Sequence, residues 1–213
     1  MYDFVTHTWN TVKGECPHLC SYCYMHRWGK QKPVRFDEKE LKTNLGEGNF
    51  IFVGSSCDMF ANEIPDEWIR ATLIHCETYF KNKYLFQTKN PERVLFIPIS
   101  TDNYVVCSTI ETNRWYPHIM QNSPKIVDRA QALESLNAGG IDVYITVEPI
   151  LDFDLAELVN LIRFTNPQQV NIGADSGNNH LPEPPKEKIL QLIAELEKFT
   201  VVKQKSNLKR LLK

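Results

Sequence analysis

Six runs of apolar and β-branched residues, each followed by a stretch with helical spacing, predict an α/β fold: a partial, open (β/α)6 barrel of the TIM type. Two further observations shape that expectation. A closed eight-unit barrel takes about 250 residues, whereas this chain has 213. No internal repeat, low-complexity stretch or linker interrupts it, so residues 1–213 read as a single domain.

Phe4 to Trp9 is rich in β-branched and aromatic residues and reads as the first strand. A cysteine-bearing loop follows to about Lys30, then a helix from about Asp37 to Leu45, stopped by Gly46 and Gly48. Phe50-Ile51-Phe52-Val53 is a short strand buried on both faces, ending at Gly54-Ser55-Ser56. Asp66 caps a helix carrying Ile69, Leu73, Cys76 and Phe80 on one face. Tyr84 to Thr88 is the third strand, and Asn90-Pro91 opens a helix that Pro98 cuts short.

Tyr104 to Ser108 forms the fourth strand, before a loop over 111–123 with Trp115, Tyr116 and His118. A helix from Pro124 to Asn137 turns Ile126, Ala130 and Leu133 inward and stops at Gly139-Gly140. Ile141 to Val147 alternates cleanly as the fifth strand. Asp154 caps a helix with Leu155, Leu158, Val159 and Ile162 inward, Gln169 to Ile172 is the sixth strand, and Lys186 to Lys198 is a last amphipathic helix. Lys203 to Lys213 reads as a basic tail.

Composition excludes several classes. Hydrophobic content of 42% and charged content of 23% are those of an ordinary globular protein. A net charge of −2 gives no general attraction to nucleic acid or an anionic membrane. No apolar run approaches the roughly 20 residues that span a bilayer, and Met1-Tyr2-Asp3-Phe4 begins no signal peptide. The expectation is a cytoplasmic protein without membrane contact, its six cysteines reduced.

Three of those cysteines, Cys16, Cys20 and Cys23, fall within eight residues at Cys-x3-Cys-x2-Cys spacing. So short a loop converges them on a soft metal centre, zinc or iron–sulfur. A structural zinc wants four protein ligands, and neither His18 nor His26 completes a zinc pattern. Three thiolates fit a cubane cluster better, with one iron left for a non-protein ligand and Tyr22 placed to pack against that ligand.

Cys-x3-Cys-x-aromatic-Cys resembles the signature of the radical S-adenosylmethionine (radical SAM) superfamily. Further stretches, Thr8-Trp9-Asn10, Phe52-Val53-Gly54-Ser55 with Asp58, Gln87 to Arg93, Glu148-Pro149 and Gly173 to Gly177, resemble a radical SAM family known mainly from bacteriophages and bacteria. The resemblance implies a radical SAM core, a [4Fe-4S] cluster held by Cys16, Cys20 and Cys23, and S-adenosylmethionine (SAM) on the fourth iron. It implies one-electron cleavage of SAM to methionine and a 5′-deoxyadenosyl radical that abstracts hydrogen from a substrate, with an electron donor such as flavodoxin or ferredoxin. It also implies that Gly54, Ser55, Ser56 and Asp58 hold the SAM amino group, although the usual Gly-Gly-Glu form is absent, and that Ser108 and Glu111 meet the ribose hydroxyls.

Strand parity adds candidates, because functional groups gather at the carboxyl ends of barrel strands. On the fifth strand Asp142, Tyr144, Thr146 and Glu148 share the lumen face, which brings Glu148 to the rim. Gln87 and Lys89 share a face on the third strand, and Asn171 and Gly173 on the sixth, with Asp175 just beyond. Glu148 and Lys89 are therefore expected catalytic residues, joined by Cys57 as a thiol near the radical and a source of hydrogen, and Tyr22, Glu148 and Asp175 join the cofactor-binding set. An open barrel ending in a basic tail favours a nucleotide or nucleic acid as substrate over a peptide or small metabolite. The competing expectation is a non-catalytic iron–sulfur or zinc protein that senses redox state or scaffolds a partner.

Overall fold

The computed structural model describes residues 2–97 and 102–213. Its strands are β1 (His7–Trp9), β2 (Val12–Lys13), β3 (Arg35–Phe36), β4 (Phe50–Val53), β5 (Lys83–Gln87), β6 (Tyr104–Thr109), β7 (Asp142–Val147), β8 (Gln169–Ile172) and β9 (Val201–Gln204). Its helices are α1 (Asp66–Thr78), α2 (Pro117–Met120), α3 (Ile126–Ala138), α4 (Leu155–Phe164) and α5 (Lys186–Leu196). Seven strands form one wholly parallel sheet in the order β1-β4-β5-β6-β7-β8-β9. Among the described residues β1 and β9 do not pair, so the barrel is open along that seam.

The expected α/β open barrel is therefore present, with a seventh strand in place of six. Val201–Gln204 pairs in parallel with β8, Val202 lying opposite Val170 and packing on the main core. The supposed tail thus begins as sheet, because two adjacent valines after an amphipathic helix suit an edge strand. It ends in a 3-10 turn, Ser206–Arg210, anchored by buried Leu208.

The two faces of the sheet bury different things. Ile51, Val53, Phe86, Val106, Val143, Ile145, Val147, Val170 and Ile172 meet the helices in one large core. Leu85, Val105, Cys107, Phe52 and Tyr144 form a second cluster on the lumen face, closed by Tyr2, Phe4 and Val5. The parity read from β7 is the one observed, and the amino-terminal segment fills the lower lumen. Ile69, Leu73 and Cys76 are buried on α1, as are Ile126, Ala130 and Leu133 on α3.

Several local expectations fail. The segments after Asp37 and Asn90 are 3-10 turns, Glu38–Lys42 and Pro91–Phe96, too short for the α-helices expected there. Pro98, expected to end the latter, lies outside the described residues. Phe80 is 69% exposed because α1 ends at Thr78, before the next inward position is reached. Asp154 stands at the N-cap of α4 without a capping hydrogen bond, its carboxylate being committed to Arg114. The first strand starts at His7, and the loop over 111–123 contains α2.

Candidate active site

The cysteine loop does not hang from β1 alone. The antiparallel pair β2 and β3, with Val12 opposite Phe36, clamps its two ends. Gly14 sits at φ +111°, and a Cβ there would fall 2.5 Å from the Pro33 carbonyl oxygen, so only glycine fits where the loop strands cross. Within the loop, Leu19 N–H donates to the Cys16 carbonyl and Cys23 N–H to the Cys20 carbonyl, both at 3.1 Å. Two tight turns therefore present the three cysteines. The segment around α2 backs them: Ser21 N–H donates to the Ile119 carbonyl, Asn122 N–H to the His18 carbonyl, and Ser123 Oγ lies 3.3 Å from Cys20 Sγ.

Cys16, Cys20 and Cys23 line one cavity of about 1020 Å³ at the carboxyl ends of the strands. All six cysteines are free thiols. Cys57 beside it lowers the Cys16 thiol, with His18 acting the same way, while burial and the Asp58 charge work to raise it. Burial raises Cys23. Among the described residues no three His, Cys, Asp or Glu side chains surround a single-ion position. The donor set nevertheless fits an iron–sulfur cluster, which takes one soft thiolate per iron and does not need the sulfurs closed around one ion.

The expected SAM-amine loop forms the adjoining wall. Gly54 adopts φ +75°, and its N–H donates to the Trp9 carbonyl at 3.0 Å. Asn10 Oδ1 gathers the next turn, accepting from Ser55 Oγ at 3.1 Å, Ser56 N–H at 3.0 Å and Ser56 Oγ at 3.2 Å. Asp58 lines the cavity, yet its carboxylate is already engaged. Oδ2 lies 2.8 Å from His18 Nε2 and accepts from Thr88 Oγ1 at 3.0 Å and Lys89 N–H at 2.8 Å, while Oδ1 accepts from Phe60 N–H at 2.9 Å. Burial works to raise the Asp58 carboxyl, but His18 and these N–H donors bring it below the usual carboxylate range. His18 is buried; its desolvation is outweighed by Asp58, which raises its pKa.

Two glutamates stand at strand ends. Glu148 lines the cavity, ion-paired to Lys205 Nζ and accepting from Asn207 Nδ2 at 2.8 Å. A Cβ on Gly173 would fall 2.7 Å from Glu148 Oε1, so glycine at that position makes room for the carboxylate. Glu111 is wholly buried. It accepts from Tyr22 Oη and from Arg129 Nη1 at 2.9 Å, with Lys89 Nζ at 3.3 Å. Burial pushes its pKa up, but the charges of Arg129 and Lys89 and the Tyr22 hydroxyl hold it at about 2.

Of the residues expected at the site, Tyr22, Gly54, Ser55, Ser56, Cys57, Asp58, Lys89 and Glu148 line the same cavity as the three cysteines. Ser108, Glu111 and Asp175 do not. Ser108 is buried in the sheet, and Glu111 sits one layer behind the wall. Asp175 folds its carboxylate onto its own loop, accepting from Gly177 N–H at 3.0 Å and from Asn179. Sequence reading missed Arg129, Lys205 and Asn207. An arginine on the apolar face of α3, beside Ala130, signals a buried acid; nothing in the tail's composition marked Lys205 as facing Glu148.

The chain belongs to a family described as "Protein of unknown function (DUF5131)", whose model matches residues 2–188. No curated protein matches it. Among solved structures it is similar in fold to a spore photoproduct lyase variant, with 12% identity and a TM-score of 0.64 over 90% of this chain and 74% of that one. A second spore photoproduct lyase variant, with bound AdoMet and dinucleoside spore photoproduct, matches at 14% identity and a TM-score of 0.57, covering 89% of this chain and 60% of that one. SuiB of Streptococcus suis bound to its precursor peptide SuiA matches at 10% identity and a TM-score of 0.66; the match covers 97% of this chain and half, 50%, of SuiB.

Proposed function

We propose that the chain is a radical SAM enzyme, of the family met mainly in bacteriophages and bacteria, acting in the cytoplasm with an electron donor such as flavodoxin or ferredoxin. The observation that carries this reading is the single cavity wall shared by Cys16, Cys20, Cys23 and the Gly54–Asp58 turn at the carboxyl ends of the strands. Spore photoproduct lyase and SuiB, similar in fold, have each been solved with S-adenosylmethionine bound, which supports the same cofactor here. Cys16, Cys20 and Cys23 would hold a [4Fe-4S] cluster. That cluster, with SAM, supplies one-electron cleavage of a carbon–sulfur bond to give methionine and a 5′-deoxyadenosyl radical.

The protein's own residues would do the rest. Asn10 fixes the Ser55-Ser56 turn in the cavity wall, on the side where the SAM amine would bind. Asp58, held ionised by its contact with His18, would stand beside that turn as the acidic partner of the SAM ammonium. Glu148, kept in place by Lys205 and Asn207, faces the cavity as an acceptor, and the hydrophobic lumen floor excludes water from below. Ser108, Glu111 and Asp175, buried or turned away, act by shaping the wall rather than by touching cofactor. A nucleotide or nucleic acid is the substrate class favoured. The domain spans 1–213, its last segment supplying sheet and cavity wall.

Anaerobically reconstituted protein, given dithionite and SAM, is expected to release 5′-deoxyadenosine, and to stop when any one of Cys16, Cys20 or Cys23 becomes alanine. Absence of 5′-deoxyadenosine from a preparation carrying about four irons and four sulfides would remove the enzyme assignment. A second reading, a non-catalytic iron–sulfur or zinc protein that senses redox state or scaffolds a partner, has one observation in its favour. Cys57 lines the same cavity wall as Cys16, Cys20 and Cys23 and offers a fourth sulfur. One zinc per chain, lost in Cys57→Ala, would support it.

A further inference from the structure

The cavity mouth carries two features that SAM chemistry does not use. On the β4 side, the 3-10 turn Tyr24–Trp28 leaves Trp28 62% and Tyr24 40% exposed. Their rings meet edge to face with centroids 5.7 Å apart, and the Arg27 guanidinium lies 5.4 Å from the Trp28 centroid and 5.9 Å from that of Tyr24. The Tyr24 hydroxyl donates to the Ser55 carbonyl, which pins this platform to the rim. Two large exposed rings beside a cation form a ready surface for a flat, electron-rich partner.

On the far side of the cavity, Lys203 of β9 lies opposite Asn171 and lines the same space. Among the described residues neither Arg27 nor Lys203 pairs with a carboxylate, whereas Lys205 is committed to Glu148 and Lys89 to Glu111. Of the acids on the lining, Asp58 is buried against His18, Glu148 is paired, and Asp3 alone stays exposed. The rim therefore offers aromatic faces and two cations without a carboxylate partner, Arg27 being steadied by its Nε donating to the Tyr24 carbonyl at 3.1 Å.

We propose that this rim binds single-stranded nucleic acid, one base stacking on Trp28 and Tyr24 while Arg27 and Lys203 take flanking phosphates. The proposal rests on the enzyme reading for its purpose and names the substrate class presented to that site. Stacking needs no sequence match, and two phosphate contacts make the binding salt-dependent without requiring a basic protein. An acidic peptide would use the cations and leave the rings bare.

The test is fluorescence anisotropy of a labelled ten-nucleotide oligothymidylate, and of its uridylate counterpart, on reconstituted holoenzyme, with SAM binding measured on the same preparation. Binding is expected to weaken with salt at a log–log slope of roughly −1.4, the value for two phosphates on a single strand. Trp28→Ala, which removes a side chain outside both cores, is expected to weaken it roughly 5- to 150-fold. Arg27→Gln and Lys203→Gln should each flatten the slope by about 0.7. No binding at low salt, equal binding by Trp28→Ala, or full displacement by polyglutamate from wild type and Trp28→Ala alike would overturn the proposal. SAM binding without oligonucleotide binding defeats this inference alone; loss of SAM binding defeats the enzyme reading and leaves the oligonucleotide result to be judged on these variants.

Discussion

Glu111 and Glu148 both follow strands of the same sheet, β6 and β7, yet their surroundings could hardly differ more. Glu111 is sealed behind the wall, each oxygen matched to a cation or hydroxyl from α3, the third barrel unit or the cysteine loop. Glu148 stands in the wall itself, about 20% exposed, and meets Lys205 and Asn207 from the last segment of the chain. The first arrangement ties Tyr22, and through it the cysteine loop, to the barrel. The second leaves a carboxylate available to the cavity. The contrast separates a group buried behind the cavity wall from one that lines the cavity.

Substitutions can sharpen that contrast. Removing Glu111 has the largest expected effect, because Arg129 would stay buried without its counter-charge. Glu111→Gln should lose about 3–5 kcal/mol in urea unfolding. The acid limb follows next. Glu111 has a folded pKa of about 2, below its ordinary value of 4.5, so its contribution is complete above the ordinary value and disappears as pH falls from about 4.5 towards 2. Stability measured across that window should drop by about 3 kcal/mol more in wild type than in Glu111→Gln.

Gly173→Ala comes third, with an expected loss of about 1–2 kcal/mol as the new methyl displaces the Glu148 carboxylate. Turnover should fall far more, about a hundredfold, because the carboxylate is moved from its place in the cavity wall. Glu148→Gln is expected to change stability least, by under about 1 kcal/mol, while abolishing substrate turnover. Should it unfold the protein as Glu111→Gln does, the distinction between the two carboxylates would collapse.

The parallel sheet was legible because strands buried on both faces are continuous apolar runs, and Ile141–Val147 even disclosed which side chains face the lumen. The cysteine loop was legible from spacing alone. Residues contributing through distant pairing were not. Lys205 and Asn207 meet Glu148 across more than fifty positions of chain, and a strand as short as Val201–Gln204 has no periodicity to announce it. Ser108 and Glu111 illustrate the converse. The resemblance implied ribose contact for both, but Ser108 is buried within β6 and a distant partner, Arg129, draws Glu111 behind the wall. Asn10 was noticed within a motif, although only the folded chain shows it organising Ser55 and Ser56.

The central claim is that three side chains, not four, hold the cluster, leaving one iron for SAM. Electron paramagnetic resonance of the dithionite-reduced, reconstituted protein tests it most directly, recorded with and without SAM for wild type and Cys57→Ala. A spectrum that shifts when SAM is added, in both proteins, is the predicted result. A spectrum indifferent to SAM, or a cluster that fails to assemble once Cys57 is removed, would contradict the account.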